Sequence, residues 1–174
     1  MDVKVIKTGY LEENCYILTK ENNALVIDPG DDYEKIKKEL TNYNLVGVLI
    51  THNHFDHVGA LEPLLNDYKV ECYSYNNLKE QKHNIQSFDF EVIYTPGHSK
   101  DSISFYFEQE NILFSGDFLF KETIGRMDLE GGSITEMEQS LLKLDRLNNA
   151  ALIFPGHGDR TTLKQERKNN LYLI

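Results

Sequence analysis

Three histidines and an aspartate fall within a few residues of one another in Thr51-His52-Asn53-His54-Phe55-Asp56-His57. Imidazole nitrogens and carboxylate oxygens are the donors that suit zinc and related borderline ions. On extended chain His52 and His54, two residues apart, point the same way, while Asp56 and His57 turn back toward that point. An isolated histidine is ordinarily a core or surface residue. Three beside an aspartate, directly after the apolar run Val46-Gly47-Val48-Leu49-Ile50, read instead as a metal site. His98 closes Thr95-Pro96-Gly97-His98, Asp117 follows Gly116, and His157 sits in Pro155-Gly156-His157-Gly158. The remaining histidine, His83, lies in a polar segment and reads as a surface residue. Seven donors are too many for one tetrahedral ion and suit two ions sharing a carboxylate. Such a pair, about 3.5–4 Å apart, activates a water and polarises the bond it attacks.

The elements that must position these donors are short strands ending in polar turns. The sequence predicts strands over 3–7, 14–18, 24–27, 45–50, 69–73, 90–94, 102–107, 112–114 and 150–154. It predicts helices from Asp31 or Asp32 to about Leu40, around Leu61, Leu64 and Leu65, over 76–82, from Ser133, and from Thr161 or Thr162 onward. Ser133 with Glu136 fits a capping box. Asp28-Pro29-Gly30 and the four histidine or aspartate turns all follow strands. Loops at one edge of a rigid sheet commonly carry sites, so the separate polar residues are expected to converge.

The 174 residues are expected to form one domain spanning 1–174, long enough to bury a substantial core. A formal net charge of −10 argues against a general nucleic-acid or anionic-membrane surface. No apolar run approaches the ~20 residues of a membrane span. Residues 1–7 alternate like a strand rather than a signal peptide, and Cys15 and Cys72 read as reduced thiols in strands. A cytoplasmic protein is the expectation, with nothing to fix its oligomeric state.

On these motifs the chain resembles the metallo-β-lactamase superfamily, and within it the short glyoxalase II-like hydrolases. The resemblance spans nearly the whole chain and implies an α+β fold, a four-layer αββα sandwich with the site at one sheet edge. It implies His52, His54 and His98 as ligands of one metal, and Asp56, His57 and His157 as ligands of a second. Asp117 would bridge the two, and Asp56 would also orient the attacking hydroxide. Asp28 matches a position near the site that is usually structural. Zinc is the expected divalent ion, with iron or manganese accepted by the same donors.

The segment Gly116-Asp117-Phe118-Leu119-Phe120, continuing to Gly125-Arg126-Met127-Asp128, looks like the corresponding stretch of those hydrolases. Arg126 falls where glutathione-dependent members place a basic residue for the carrier's carboxylate; the alternative is a loop-shaping pair with Asp128. Asp128 stands where those members often have tyrosine, and they continue into a helical glutathione-binding domain. The resemblance therefore implies a hydrolase of small thioesters, with S-2-hydroxyacyl thiols such as S-lactoylglutathione foremost. The best-known β-lactamase branch has a cysteine ligand where this chain has Asp117, which counts against that activity. Lactone hydrolases of the same fold share all seven donors. Persulfide dioxygenases, which hold one iron through the equivalents of His52, His98 and Asp117, differ where Leu129-Glu130-Gly131-Gly132 follows.

Overall fold

Strands that alternate apolar side chains on both faces can be covered on both faces, and that property sets the layering here. The computed structural model describes residues 1–173. Strands β1 (Asp2–Thr8), β2 (Glu13–Lys20), β3 (Asn23–Ile27), β4 (Asn44–Leu49) and β5 (Cys72–Tyr73) form a five-stranded sheet in chain order. The first three are antiparallel; β3, β4 and β5 run parallel. Helix α1 (Tyr33–Leu40) joins β3 to β4, and α2 (Phe55–Val58) with α3 (Leu61–Tyr68) join β4 to β5. The second sheet contains β6 (Lys82–Ile85), β7 (Phe88–Tyr94), β8 (Ile103–Phe107) and β9 (Ile112–Gly116). A small ribbon, β10 (Leu119–Phe120) and β11 (Thr123–Ile124), then leads to α4 (Ile134–Leu142). Strands β12 (Leu152–Pro155) and β13 (Thr161–Thr162) complete the order β13-β12-β9-β8-β7-β6, and α5 (Leu163–Asn169) follows.

The two sheets share an apolar interior. Tyr16 and Leu18 of β2 meet Ile103, Phe105 and Phe107 of β8 and Phe114 of β9 there. The alternate residues Cys15 and Ile17 turn outward under Ile36, Leu40 and Leu64 of α1 and α3. On the other side, Tyr106, Leu113 and Ile153 turn out under Met137 of α4 and Leu163 of α5. The result is the expected four-layer αββα sandwich.

Several local expectations need correction. Residues 76–82 form no helix; Ser74 to Asn77 make a turn, and 82–85 become the edge strand β6, paired with β7. The strand expected over 69–73 shrinks to Cys72–Tyr73. Asp32 precedes α1 but does not cap it: its carboxylate accepts from Gly9 N and Lys35 Nζ instead. The Ser133 capping box is half made, with Ser133 Oγ accepting from Glu136 N at 3.2 Å. Ser133 N donates instead to Gly97 O at 2.8 Å, which ties the start of α4 to the turn carrying His98. Among the described residues, no helix is long and apolar enough to cross a membrane.

Hydrogen bonds lock the sheets together at the edge where the polar turns emerge. Ile103 N donates to Thr51 O at 2.8 Å, and Asn14 N to Gly156 O at 2.7 Å. The Tyr16 hydroxyl donates to Pro155 O at 2.6 Å.

Candidate metal centre

The polar turns follow the ends of β3 and β4 in one sheet and of β7, β9 and β12 in the other, so one edge of the sandwich collects all seven donors. His52, His54 and His98 have ring nitrogens facing one point: His52 Nε2 lies 3.0 Å and His98 Nε2 2.9 Å from His54 Nδ1. Asp56, His57 and His157 form a second group, with His157 Nε2 3.2 Å from Asp56 Oδ2. Asp117 stands between the groups. Its Oδ1 is 3.4 Å from His57 Nε2, and its Oδ2 lies 3.5 Å from His98 Nε2 and 3.7 Å from His157 Nε2.

For three of the rings, the back side fixes which nitrogen faces inward. His98 Nδ1 donates to Arg126 O at 2.8 Å, His157 Nδ1 to Leu11 O at 3.2 Å, and His57 Nδ1 to Asp28 Oδ2 at 3.0 Å. A proton held on Nδ1 leaves the Nε2 lone pair free toward the cluster. Asp28 is itself tightly held, accepting from Thr51 N at 2.7 Å and Thr51 Oγ1 at 2.6 Å. It supports His57 rather than joining the inner group, as its family position implied.

Electrostatics agree with cation binding. Burial, helped by the neighbouring rings, pulls His52 well below the usual imidazole range and lowers His54 as well, so both keep free lone pairs. Burial also acts against charge on His57, yet Asp117 and Asp28 outweigh it and hold that ring well above its usual value. The carboxylates that favour positive charge on His57 favour a cation at its Nε2 equally. Asp56 is held below its ordinary value, against burial, chiefly by His157.

Two observations test the fit of metal ions. His57 Nε2 and Asp117 Oδ1 are buried, face each other at 3.4 Å and form no hydrogen bond with any described residue, an arrangement that a cation shared between them would satisfy. A Cβ at Gly156 would strike both Asp117 Oδ1 and His57 Cε1, so only the bare backbone lets the end of β12 close on the cluster. The nitrogen separations near 3 Å also match donors at about 2.0–2.1 Å from one ion. The residues fit divalent metal.

Arg126 contributes its carbonyl, not its fork, to this edge. Its guanidinium makes a bidentate pair with Asp128, Nε to Oδ1 at 2.7 Å and Nη2 to Oδ2 at 2.6 Å, and both side chains are exposed. His83 lies apart, on β6, stacked on Phe90. Glu13 was missed by the sequence reading. It is fully buried, accepts from Thr8 Oγ1 at 2.7 Å, and brings Oε1 to 3.9 Å from His57 Nδ1. Burial raises its carboxyl to about 9. The one usable signal was an acid directly before the strand run Asn14-Cys15-Tyr16-Ile17-Leu18, a position that turns inward.

The Lactamase_B family, described as the metallo-beta-lactamase superfamily, matches residues 8–84 and 80–157. The chain belongs to the metallo-beta-lactamase superfamily. Membership supports a metal-dependent hydrolase. One full-length superfamily relative is the hydroxyacylglutathione hydrolase GloC of Haemophilus influenzae, 31% identical over 99% of this chain and 98% of its own. Among solved structures, BLEG-1 B3 metallo-beta-lactamase superposes with a TM-score of 0.95 at 31% identity, covering 99% of both chains. A di-iron-bound form of TTHA1623 gives 0.90 at 31% identity, covering 98% of this chain and 100% of that one.

Proposed function

We propose that this protein is a dinuclear-metal hydrolase of small thioesters, most suitably S-2-hydroxyacyl thiols such as S-lactoylglutathione. The observation that carries the reading is the convergence of seven histidine and aspartate donors, with Asp117 touching both groups. Full-length likeness to a hydroxyacylglutathione hydrolase supports the substrate class. In this reading His52, His54 and His98 hold one ion, Asp56, His57 and His157 the other, and Asp117 is shared. When bound, divalent ions supply a water acidified from ~15.7 to ~7 and polarise the carbonyl under attack.

The chain's own residues then have separable tasks. Asp28 and Leu11 O hold the proton on the outer nitrogens of His57 and His157, so that the inner nitrogens stay available. Asp56, kept ionised beside His157, is an acceptor able to orient the attacking water. No serine or cysteine nucleophile is needed. Cys15 is buried in β2 with its thiol pushed up by burial, and Cys72 packs in the same outer layer.

Zinc is the first candidate ion on donor chemistry, and iron is the next, given the di-iron relative. The likeness to BLEG-1 favours one second reading, β-lactam hydrolysis. Thiol release from S-lactoylglutathione, measured beside opening of a chromogenic cephalosporin and a lactone panel, tests the assignment. Thioester turnover far above the others is expected; β-lactam or lactone turnover with inert thioester would overturn it.

A further inference from the structure

The first donor group is assembled across the sandwich: His52 and His54 come from the turn after β4, and His98 from the turn after β7 in the other sheet. Ring nitrogens 2.9 and 3.0 Å apart leave little play between those two turns. His54 is the donor least held from behind. His52 Nδ1 lies 3.1 Å from Thr51 Oγ1, and His98 is fixed by Arg126 O. Among the described residues, the His54 ring makes hydrogen-bond contacts only through Nδ1, toward His52 and His98. The direction of its ring therefore depends on the backbone that carries it.

One carboxylate outside the seven donors holds that backbone. Asp101 Oδ2 accepts from Asn53 N at 3.1 Å and from Asn53 Nδ2 at 2.6 Å, and Asp101 Oδ1 accepts from Ser99 Oγ at 2.7 Å. Asn53 stands between His52 and His54, and Ser99 directly follows His98. Behind the carboxylate the hydroxyls of Ser99 and Ser102, both buried, lie 2.7 Å apart. The contact also continues a pattern. Ile103 N donates to Thr51 O; two residues back on one segment and two forward on the other, Asp101 meets Asn53. That step is the spacing of an antiparallel pair, so the Asp101 side chain extends the sheet-to-sheet contact past the point where backbone pairing stops.

We propose that Asp101, acting through Asn53 and Ser99, is a positioning residue for the first metal: it fixes the turn of His52 and His54 against the turn of His98. This rests on the two-ion reading above and adds to it a residue that is not itself a donor. The second donor group takes its support elsewhere, from Asp28 and Leu11 O. Loss of Asp101 therefore acts on one ion and not on the other.

Competition titration against a chromophoric chelator, with anomalous diffraction at limiting metal to locate each ion, tests this on the whole protein. Asp101→Ala is expected to weaken the ion among His52, His54 and His98 about tenfold, and the other by less than about threefold. Asp101→Asn keeps a carbonyl oxygen for both Asn53 donors and presents NH₂ to Ser99 Oγ, so both ions are expected to stay within about threefold of wild type. The double variant Asp101→Ala/Asn53→Ala should bind no more weakly than Asp101→Ala alone, because the two side chains act through one contact. Asn53 is exposed, so Asn53→Ala folds even where Asp101→Ala does not, and on its own it should weaken the first ion about threefold. Unchanged affinity in the alanine variants, equal weakening of both ions, or an Asp101→Asn protein as weak as Asp101→Ala would overturn the positioning role. A wild-type protein that binds no ion at these residues would instead refute the two-ion reading, and the proposal with it.

Discussion

Asp28→Asn is a sharp test of how the second donor group is built. Asp28 accepts from Thr51 N, from Thr51 Oγ1 and from His57 Nδ1. An asparagine in the same pose retains one oxygen for Thr51 N but presents NH₂ to the His57 ring. His57 Nδ1 must then accept, which moves its proton to Nε2, the nitrogen facing Asp117 and the cluster. The backbone adds no complication: Asp28 has φ of 50°, a left-handed conformation that asparagine also tolerates. Loss of such a supporting contact typically costs 10–100-fold in metal affinity, roughly 1.4–2.8 kcal/mol. Competition titration against a chromophoric chelator should show one ion weakened by that factor and the other, held by His52, His54 and His98, changed by less than about threefold. Unaltered affinity for both ions in a folded Asp28→Asn protein would refute the role given to Asp28.

Other perturbations have equally definite outcomes. Gly97→Ala forces a side chain onto a residue with φ of 142°, 2.6 Å from Met137 Cα and 2.7 Å from Met137 N. These are backbone atoms of α4, so urea unfolding should show a loss of about 2 kcal/mol; an unchanged midpoint would contradict the packing described. Burial raises the Glu13 carboxyl from 4.5 to about 9, so the folded, metal-stripped protein binds a proton there that the unfolded chain releases. That contribution is complete below about pH 4.5 and is lost as pH rises toward about 9. Glu13→Gln should therefore gain on wild type in urea midpoint between pH 6 and pH 8, and parallel pH profiles would disprove the assignment. Asp128→Ala frees the Arg126 fork; KM for S-lactoylglutathione should fall while the unfolding midpoint stays put, and a raised KM would show that the pair itself positions substrate.

Much of this architecture was legible because it is local. The donors lie in compact turns such as Thr51-His52-Asn53-His54, and the strands before them carry their own alternation, so sheet order was not needed to expect convergence. The misreadings fall where tertiary pairing overrides local preference. Residues 76–82 read as a helix and 83–85 as no element, yet an edge strand needs only one partner, and β7 supplies it to 82–85. Residues 55–58 read as part of a loop but close into α2, which presents Asp56 and His57 on successive positions of one turn. Glu13 was invisible as a site neighbour because an acid next to a turn ordinarily faces water. Its burial arises from Thr8, the Gly30 turn and His57, which come from three separate parts of the chain.

Function depends on a rigid edge rather than on any single element. The sheet-to-sheet bonds from Ile103 to Thr51 and from Asn14 to Gly156 place donors from opposite halves of the sandwich in one cluster. Within it Asp117 is the residue common to both groups, so it is where the account is most exposed. The most direct measurement is metal content and position, by elemental analysis and anomalous diffraction, on wild type and Asp117→Ala. Two ions per wild-type chain are expected, one among His52, His54 and His98 and one among Asp56, His57 and His157, with clear loss of metal in the variant. No ion at these residues in wild type, or two fully retained in the variant, would contradict the shared-carboxylate centre.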